Sequence, residues 1–288
     1  MKPMELESLY QLFRDHEEVM GASRTTIVAL QSFRNSIQRL RCPPPAFENL
    51  ILELDEVIKN TEPRIIPLVH LVEAFEREMR PYFGQPLNEA KSRALAILDQ
   101  KLALFNSSNE RLIDYGRQLI KDGDVIIAHS SSLAVRNALA SAHTDLHRQF
   151  RVIVLEQDFI RIKQLIKDLA ASGIDHLVIP EYNLSHFLGT AKKVFLGATS
   201  VTPDRKVIST VGSANIVGLC HLNGIPIYLL VNSLKFAHQS VAGQKIHKED
   251  QKQSKENLIY TQTTFSHDIV DFDLIDHVIT EGGEISVR

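Results

Sequence analysis

The sequence predicts an α/β protein: an N-terminal all-helical domain over residues 1–120, then a Rossmann-like, doubly wound, mainly parallel sheet over residues 121–288. Three observations carry this expectation. Apolar residues recur at helical spacing up to residue 120, with no convincing strand. "KDGD" at 121–124 is turn chemistry and marks a change of character. Beyond it, short β-rich apolar runs alternate with helical stretches, the pattern of strands buried on both faces.

The helical elements follow in order. "LESLYQLFRDHEEVM" places Leu6, Leu9, Tyr10, Phe13 and Val19 near one face. Gly21 interrupts, and "SRTTIVALQSFRNSIQRL" resumes with Ile27, Leu30, Phe33 and Ile37. "CPPP" at 42–45 is a stop, because three prolines cannot continue a helix. "FENLILELDEVIKN" and "IIPLVHLVEAFEREM" are two further amphipathic helices. "NEAKSRALAILDQKLALF" then runs into "NERLIDYGRQLI", with a break expected at Asn106–Ser108.

In the second half the expected strands are 125–129, 151–155, 175–179, 194–198 and 226–231, with helices near 133–143, 159–172, 184–190 and 213–223. Segment 237–262 is polar and reads as a mobile excursion, and "FDLIDHVITEGG" as a short helix with a final strand or turn. Sheets of this kind bind ligands at the carboxyl ends of their strands. One edge therefore gathers Ser130–Ser132, Glu156–Asp158, Glu181–Asn183, Thr199–Ser200 and Asn232–Ser233.

Composition narrows the function. The net charge of -3, with no long basic run, argues against a generic nucleic-acid sleeve, which needs clustered Lys and Arg. Two cysteines, Cys42 and Cys220, in unrelated contexts make neither a zinc ribbon nor a disulfide framework, so a reducing compartment is the default. No signal-peptide pattern opens the chain, and no apolar run approaches the ~20 residues that span a bilayer. The expected location is cytoplasmic.

Each chemical candidate has a plainer competitor. His129 and Ser130 suggest a serine nucleophile with its base, but neighbours on a strand face opposite ways and the nucleophile elbow is absent. Hydroxyls capping the next helix or lining a pocket fit better. "HTDLH" puts His143 and His147 on one helical face, yet lacks a glutamate between them and a third ligand, so a solvated helix end is expected and no metal. In "GATSVTPDRKVISTVGS", Gly212 and Ser213 open a helix whose free N–H groups form an anion-site candidate beside ordinary capping. "GASRTT" at 21–26 has the same form, with Gly21, Ala22 and a positive charge from Arg24. The dinucleotide fingerprint is missing, and no cofactor is expected.

Four stretches carry a resemblance across nearly the whole chain: "VIIAHSSSLAV", "VFLGATSVTPDRKVISTVGSANIVGLCHLNGIPIYLL", "YLLVNSLKF" and "FDLIDHVITEGG". They resemble the α, β and δ regulatory subunits of translation initiation factor two-B and their isomerase cousins, which act on methylthioribose 1-phosphate and ribose 1,5-bisphosphate. The Ser233, Lys235 and Phe236 element leans toward the factor subunits or the ribose-bisphosphate enzymes. In the isomerases, the resemblance implies, a cysteine and an aspartate move the proton between sugar carbons, and the matching positions here are Ser130 and Thr199. A serine hydroxyl is a poor proton acceptor near neutral pH, whereas a thiol can be tuned into range, and threonine removes the carboxylate altogether.

Further departures remove positive charge. Ser209 and Thr210 stand for an Asn-Lys pair, Gln157 or Asp158 for an arginine, and Glu62-Pro63 for an Arg-Pro pair. A bisphosphate would need Arg24, Arg64 or another residue in compensation. The expectation is a non-catalytic regulatory or assembly protein, a homodimer or hetero-oligomer through its C-terminal domain, meeting initiation factor two and binding a sugar phosphate or a less anionic metabolite. The ligand contacts expected are Gly21, Ala22, Arg24, Ser130, Ser131, Glu156, Gln157, Thr199, Ser209 and Thr210. The alternatives are an aldose–ketose isomerase with relocated groups, drawing on His129, Glu156 and Glu181, and a stand-alone metabolite sensor.

Overall fold

A computed structural model of the chain describes residues 3–61, 64–130, 132–255 and 258–286. Four helices come first: α1 (Pro3–Arg39), α2 (Pro44–Lys59), α3 (Ile66–Met79) and α4 (Leu87–Gln118). Gly21 breaks α1 with φ 73 and ψ 160, a left-handed conformation open to glycine. Prolines fall at the first positions of α2 and α3, where no N–H is missed. Leu30, Phe33, Ile51, Leu68, Phe75, Leu98 and Phe105 close a core among these helices.

The alternating half then runs β1 (Val125–His129), α5 (Leu133–Thr144), β2 (Arg151–Glu156), α6 (Phe159–Ala171), β3 (Asp175–Pro180), β4 (Lys193–Leu196), β5 (Ser200–Thr202), β6 (Lys206–Thr210), α7 (Ser213–Leu222) and β7 (Ile227–Leu230). Five strands complete it: β8 (Lys248–Lys255), β9 (Leu258–Phe265), β10 (His267–Asp271), β11 (His277–Thr280) and β12 (Gly283–Ile285). The main sheet has the order β12-β11-β7-β4-β1-β2-β3, parallel except for the β11–β12 pair. A three-stranded antiparallel sheet, β10-β6-β5, stands beside it.

Alternation along the strands supplies two apolar faces. Ile126, Ala128, Val152 and Val154 meet α5 and α6 through Ala138, Leu139, Ile162 and Leu165. Ile127, Ile153, Leu155 and Val194 face the other way and pack with Ile216 and Val217 of α7 and Val207 of the small sheet. The 121–124 turn is pinned by Asp124, which accepts from the Lys121 N–H and pairs with Lys193 at 2.8 Å, both side chains buried. This ties the start of β4 to the end of α4.

Three expectations need correction. No break occurs at Asn106–Ser108: α4 is continuous, because Leu98, Leu102, Phe105, Asn109, Leu112 and Gly116 keep one buried stripe through the polar residues. Segment 237–262, expected only as a polar excursion, contains β8 and most of β9, which pair over eight residues each as an exposed hairpin. "LIYTQTTF" supplies the aromatic and β-branched residues that favour a strand. The expected helix at 184–190 is instead a 3-10 turn over Glu181–His186. Among the described residues no helix is long and apolar enough to cross a membrane.

Helix α4 belongs to both halves, and Gly116 sets its approach to the sheet. A Cβ there would lie 2.6 Å from Leu230 Cδ2 and 3.1 Å from Ala138 Cβ. Gly116→Val should therefore lower the unfolding free energy by about 1–3 kcal/mol through overpacking. Urea denaturation measures this as a reduced midpoint at unchanged slope.

Candidate functional site

Strand order reverses at β1: β2 and β3 continue on one side, while β4 lies on the other. The carboxyl ends of β1 and β4 diverge there, and such a switch point is where open α/β sheets leave a crevice. Ser130 follows β1 and Thr199 follows β4, and both line that crevice together with Gly21, Ala22, Ser209 and Thr210. The remaining cavity is small, about 30 Å3, room for about one water.

Each alcohol in the crevice has a local reason for its position. Ser130 adopts φ 70, a left-handed conformation that costs a non-glycine residue about 1–2 kcal/mol. Ser132 caps α5, accepting from the Val135 N–H at 3.5 Å. Ser209 donates to Gly197 O at 2.9 Å and accepts from Ser213 Oγ at 3.0 Å, so it ties β6 to the end of β4. Ser131 lies outside the described residues, as do Glu62 and Pro63.

The residue that sequence reasoning missed is Glu17 of α1. Its Oε1 accepts from Thr199 Oγ1 at 3.0 Å, and its Oε2 is 3.2 Å from His267 Nε2. Burial pushes this carboxyl up, but the His267 imidazole, the Thr199 hydroxyl and Arg161 outweigh it, and it is held below the usual carboxylate range. Glu18 pairs with Arg161 at 2.6 Å. On the other wall Lys235 is buried, donates to Ala198 O at 2.6 Å, and is lowered to about 8 by burial, against the pull of Glu17. The one available signal is spacing: Glu17 stands one helical turn before Gly21.

Other candidates lie elsewhere. Arg24 is exposed, with its charge felt at Arg136, and does not line the crevice. Arg64 reaches Gln239 Oε1 at 2.5 Å in a separate recess. Glu156 and Gln157 end β2 outside the crevice lining, and Gln157 donates to Glu181. The start of α7 is already occupied: the Ala214 N–H donates to Asp268 at 3.0 Å, with Glu181 nearby. A carboxylate fills the place proposed for a phosphate there, and the left-handed Gly212 leaves its side-chain space to Gln157 and Glu181.

His129 is buried, with Nε2 3.1 Å from Val211 O and Nδ1 without a partner among the described residues. The carbonyl fixes Nε2–H as donor and leaves the lone pair on Nδ1, but among the described residues no hydrogen bond joins that nitrogen to Ser130. His143 and His147 do not share a helical face, because α5 ends at Thr144 and His147 has φ 55. Among the described residues no cluster of three His, Cys, Asp or Glu is placed to hold a metal.

The sequence profile of the Initiation factor 2 subunit family matches residues 18–287. A translation initiation factor eIF-2B subunit 2-like protein of Pyrococcus horikoshii is 28% identical over 280 residues, covering 96% of this chain and 95% of that protein. The ribose 1,5-bisphosphate isomerase of Pyrococcus furiosus is 26% identical, covering 81% of this chain and 75% of the enzyme. The crystal structure of the Pyrococcus horikoshii OT3 translation initiation factor eIF-2B superposes with a TM-score of 0.79 at 25% identity, covering 99% of this chain and 98% of that one. A chain of the tetrameric eIF2B-beta2-delta2 complex from C. thermophilum shares the fold with a TM-score of 0.70 at 17% identity, covering 98% and 90%.

Burial lowers His129 to about 4, against the carbonyls of Val211 and Leu155. An unfolded histidine titrates near ~6.5, so as pH falls below that value the unfolded chain takes up a proton that the folded chain refuses. The stability conferred is full above ~6.5 and is lost as pH falls to about 4. His129→Gln keeps a donor for Val211 O but cannot titrate. The advantage of wild type over this variant should shrink by on the order of 3 kcal/mol between pH 7 and pH 4 in paired urea titrations.

Proposed function

The chain belongs to the Initiation factor 2 subunit family, and from that premise we propose that it is a non-catalytic subunit of the initiation factor two-B kind. On this reading it is a cytoplasmic regulatory or assembly protein that pairs with itself or with related subunits, meets initiation factor two and accepts a small phosphorylated metabolite. The observation that carries the reading is the crevice between β1 and β4. Where the resemblance to the isomerases implies a thiol and a carboxylate on the strand tips, Ser130 and Thr199 present two alcohols. Neither has a pKa that proton transfer near neutrality can use. The tetrameric assembly formed by the beta and delta proteins of C. thermophilum supports the expectation of oligomers.

A second reading has one observation in its favour. Glu17 returns a carboxylate to within 3.0 Å of the Thr199 hydroxyl, with Lys235 in the same crevice. An isomerase with relocated groups would use this pair, rather than His129, Glu156 or Glu181.

Assays with ribose 1,5-bisphosphate and methylthioribose 1-phosphate separate the two. The first reading expects no turnover above background, and native mass measurement expects at least a dimer able to retain initiation factor two. Turnover that Glu17→Gln reduces by about 10²-fold or more would establish the second reading instead. Ser130→Cys combined with Thr199→Asp should restore little turnover, because the new aspartate would face Glu17 and one of the two carboxyls would be forced to hold a proton.

A further inference from the structure

Glu17 is surrounded as a bound anion would be. A hydroxyl and an imidazole nitrogen contact its two oxygens, while Arg161 acts on it by charge and it acts in turn on the buried Lys235. The carboxylate is buried and comes from α1, 182 residues away in sequence from its Thr199 partner. With it in place the crevice has room for about one water, so no phosphorylated ligand enters beside it.

The helix segment that delivers Glu17 ends at Gly21, whose φ of 73 interrupts the helix three residues after Glu18. Its attachments on the crevice side are polar: Glu17 to Thr199 and His267, Glu18 to Arg161. Its opposite side borders an apolar groove of about 550 Å3 between α1 and α2, where Leu12, Phe13 and His16 face Phe47, Leu50 and Leu54 across open space. Leu12 and Leu50 stay 52% and 42% exposed. Phe13 keeps a contact with the helical core, but the unfilled groove forfeits further dispersion contacts that would hold the segment, which lowers the cost of displacing it.

We propose that Glu17 is a built-in occupant of an anion subsite in this crevice. The part of α1 before Gly21 pivots to withdraw it, and the phosphate group of a small metabolite takes its place on Thr199, His267 and Lys235. Withdrawal also removes one negative charge from the lining. The inference rests on the crevice being the ligand site, and it holds whether or not the site turns a substrate over.

Calorimetry with inorganic phosphate and with ribose 5-phosphate, on wild type and Glu17→Ala, tests this. The variant should bind both roughly ten-fold or more tightly, because the binding-competent fraction is no longer limited by the internal carboxylate. Hydrogen exchange on the wild-type chain needs no variant: saturating ribose 5-phosphate should accelerate amides 8–20 while those of β1 and β4 stay protected. Equal affinities, or slowed exchange across 8–20, overturn the occupant model alone. No binding of either phosphate to either protein overturns the occupant model and the ligand site together.

Discussion

The reversal of strand order at β1 is the constraint from which the rest of the molecule follows. Two parallel strands whose connections leave in opposite directions cannot both be covered at their carboxyl ends by their own helices. The gap must be filled by a ligand, by solvent or by another part of the chain. Here the fourth possibility is avoided, that of an unsatisfied polar edge, because the N-terminal helices reach over the sheet and place Glu17 in the gap. Helix α4 makes that reach possible: its first half is core to the helical layer, and its second half packs on the sheet with Leu112 and Gly116.

Charge is distributed so that the basic groups of the sheet half, in the crevice and away from it, are engaged in structure. Arg161 holds Glu18, Arg136 holds Asp168, Lys193 holds Asp124, and Lys235 is tied to Ala198 O. Each buried charge needs such a partner, since an unpaired one would cost several kcal/mol. The start of α7, a ready receiver for an anion by its free N–H groups, is likewise satisfied by Asp268. No standing patch of positive charge lines the crevice among the described residues, so an anion entering it would have to displace existing pairs.

Much of this was legible in the sequence because it is local. The strand at 125–129, the turn at 121–124, the kink at Gly21 and the opening of α7 at Gly212 and Ser213 all follow from residue type and spacing. The meeting of Ser130 with Thr199 at one crevice follows from reading both as strand tips of one sheet. What escaped is long-range or set by packing. Nothing in "RDHEEVMGAS" tells Glu17 from Asp15 or Glu18 until α1 is laid across the sheet. Asn106–Ser108 looked like a break because its residues are weak helix formers, but the flanking buried stripe decides the matter. Arg24 and Arg64 were chosen by charge alone, and tertiary placement sends both elsewhere.

The alcohol at position 199 and the presence of Glu17 belong together physically. An aspartate at that strand tip would bring a second carboxylate to the site where Glu17 now lies 3.0 Å from a hydroxyl. Two carboxylates at that separation do not both stay ionised, and one would be forced to hold a proton. Threonine removes the conflict and adds a donor, which helps hold Glu17 ionised despite its burial. His267, positioned by the pairing of β10 with β6, supplies the second contact from a strand that neither tip belongs to. The alcohol at residue 199 is therefore the partner that allows the helical half of the chain to occupy the crevice.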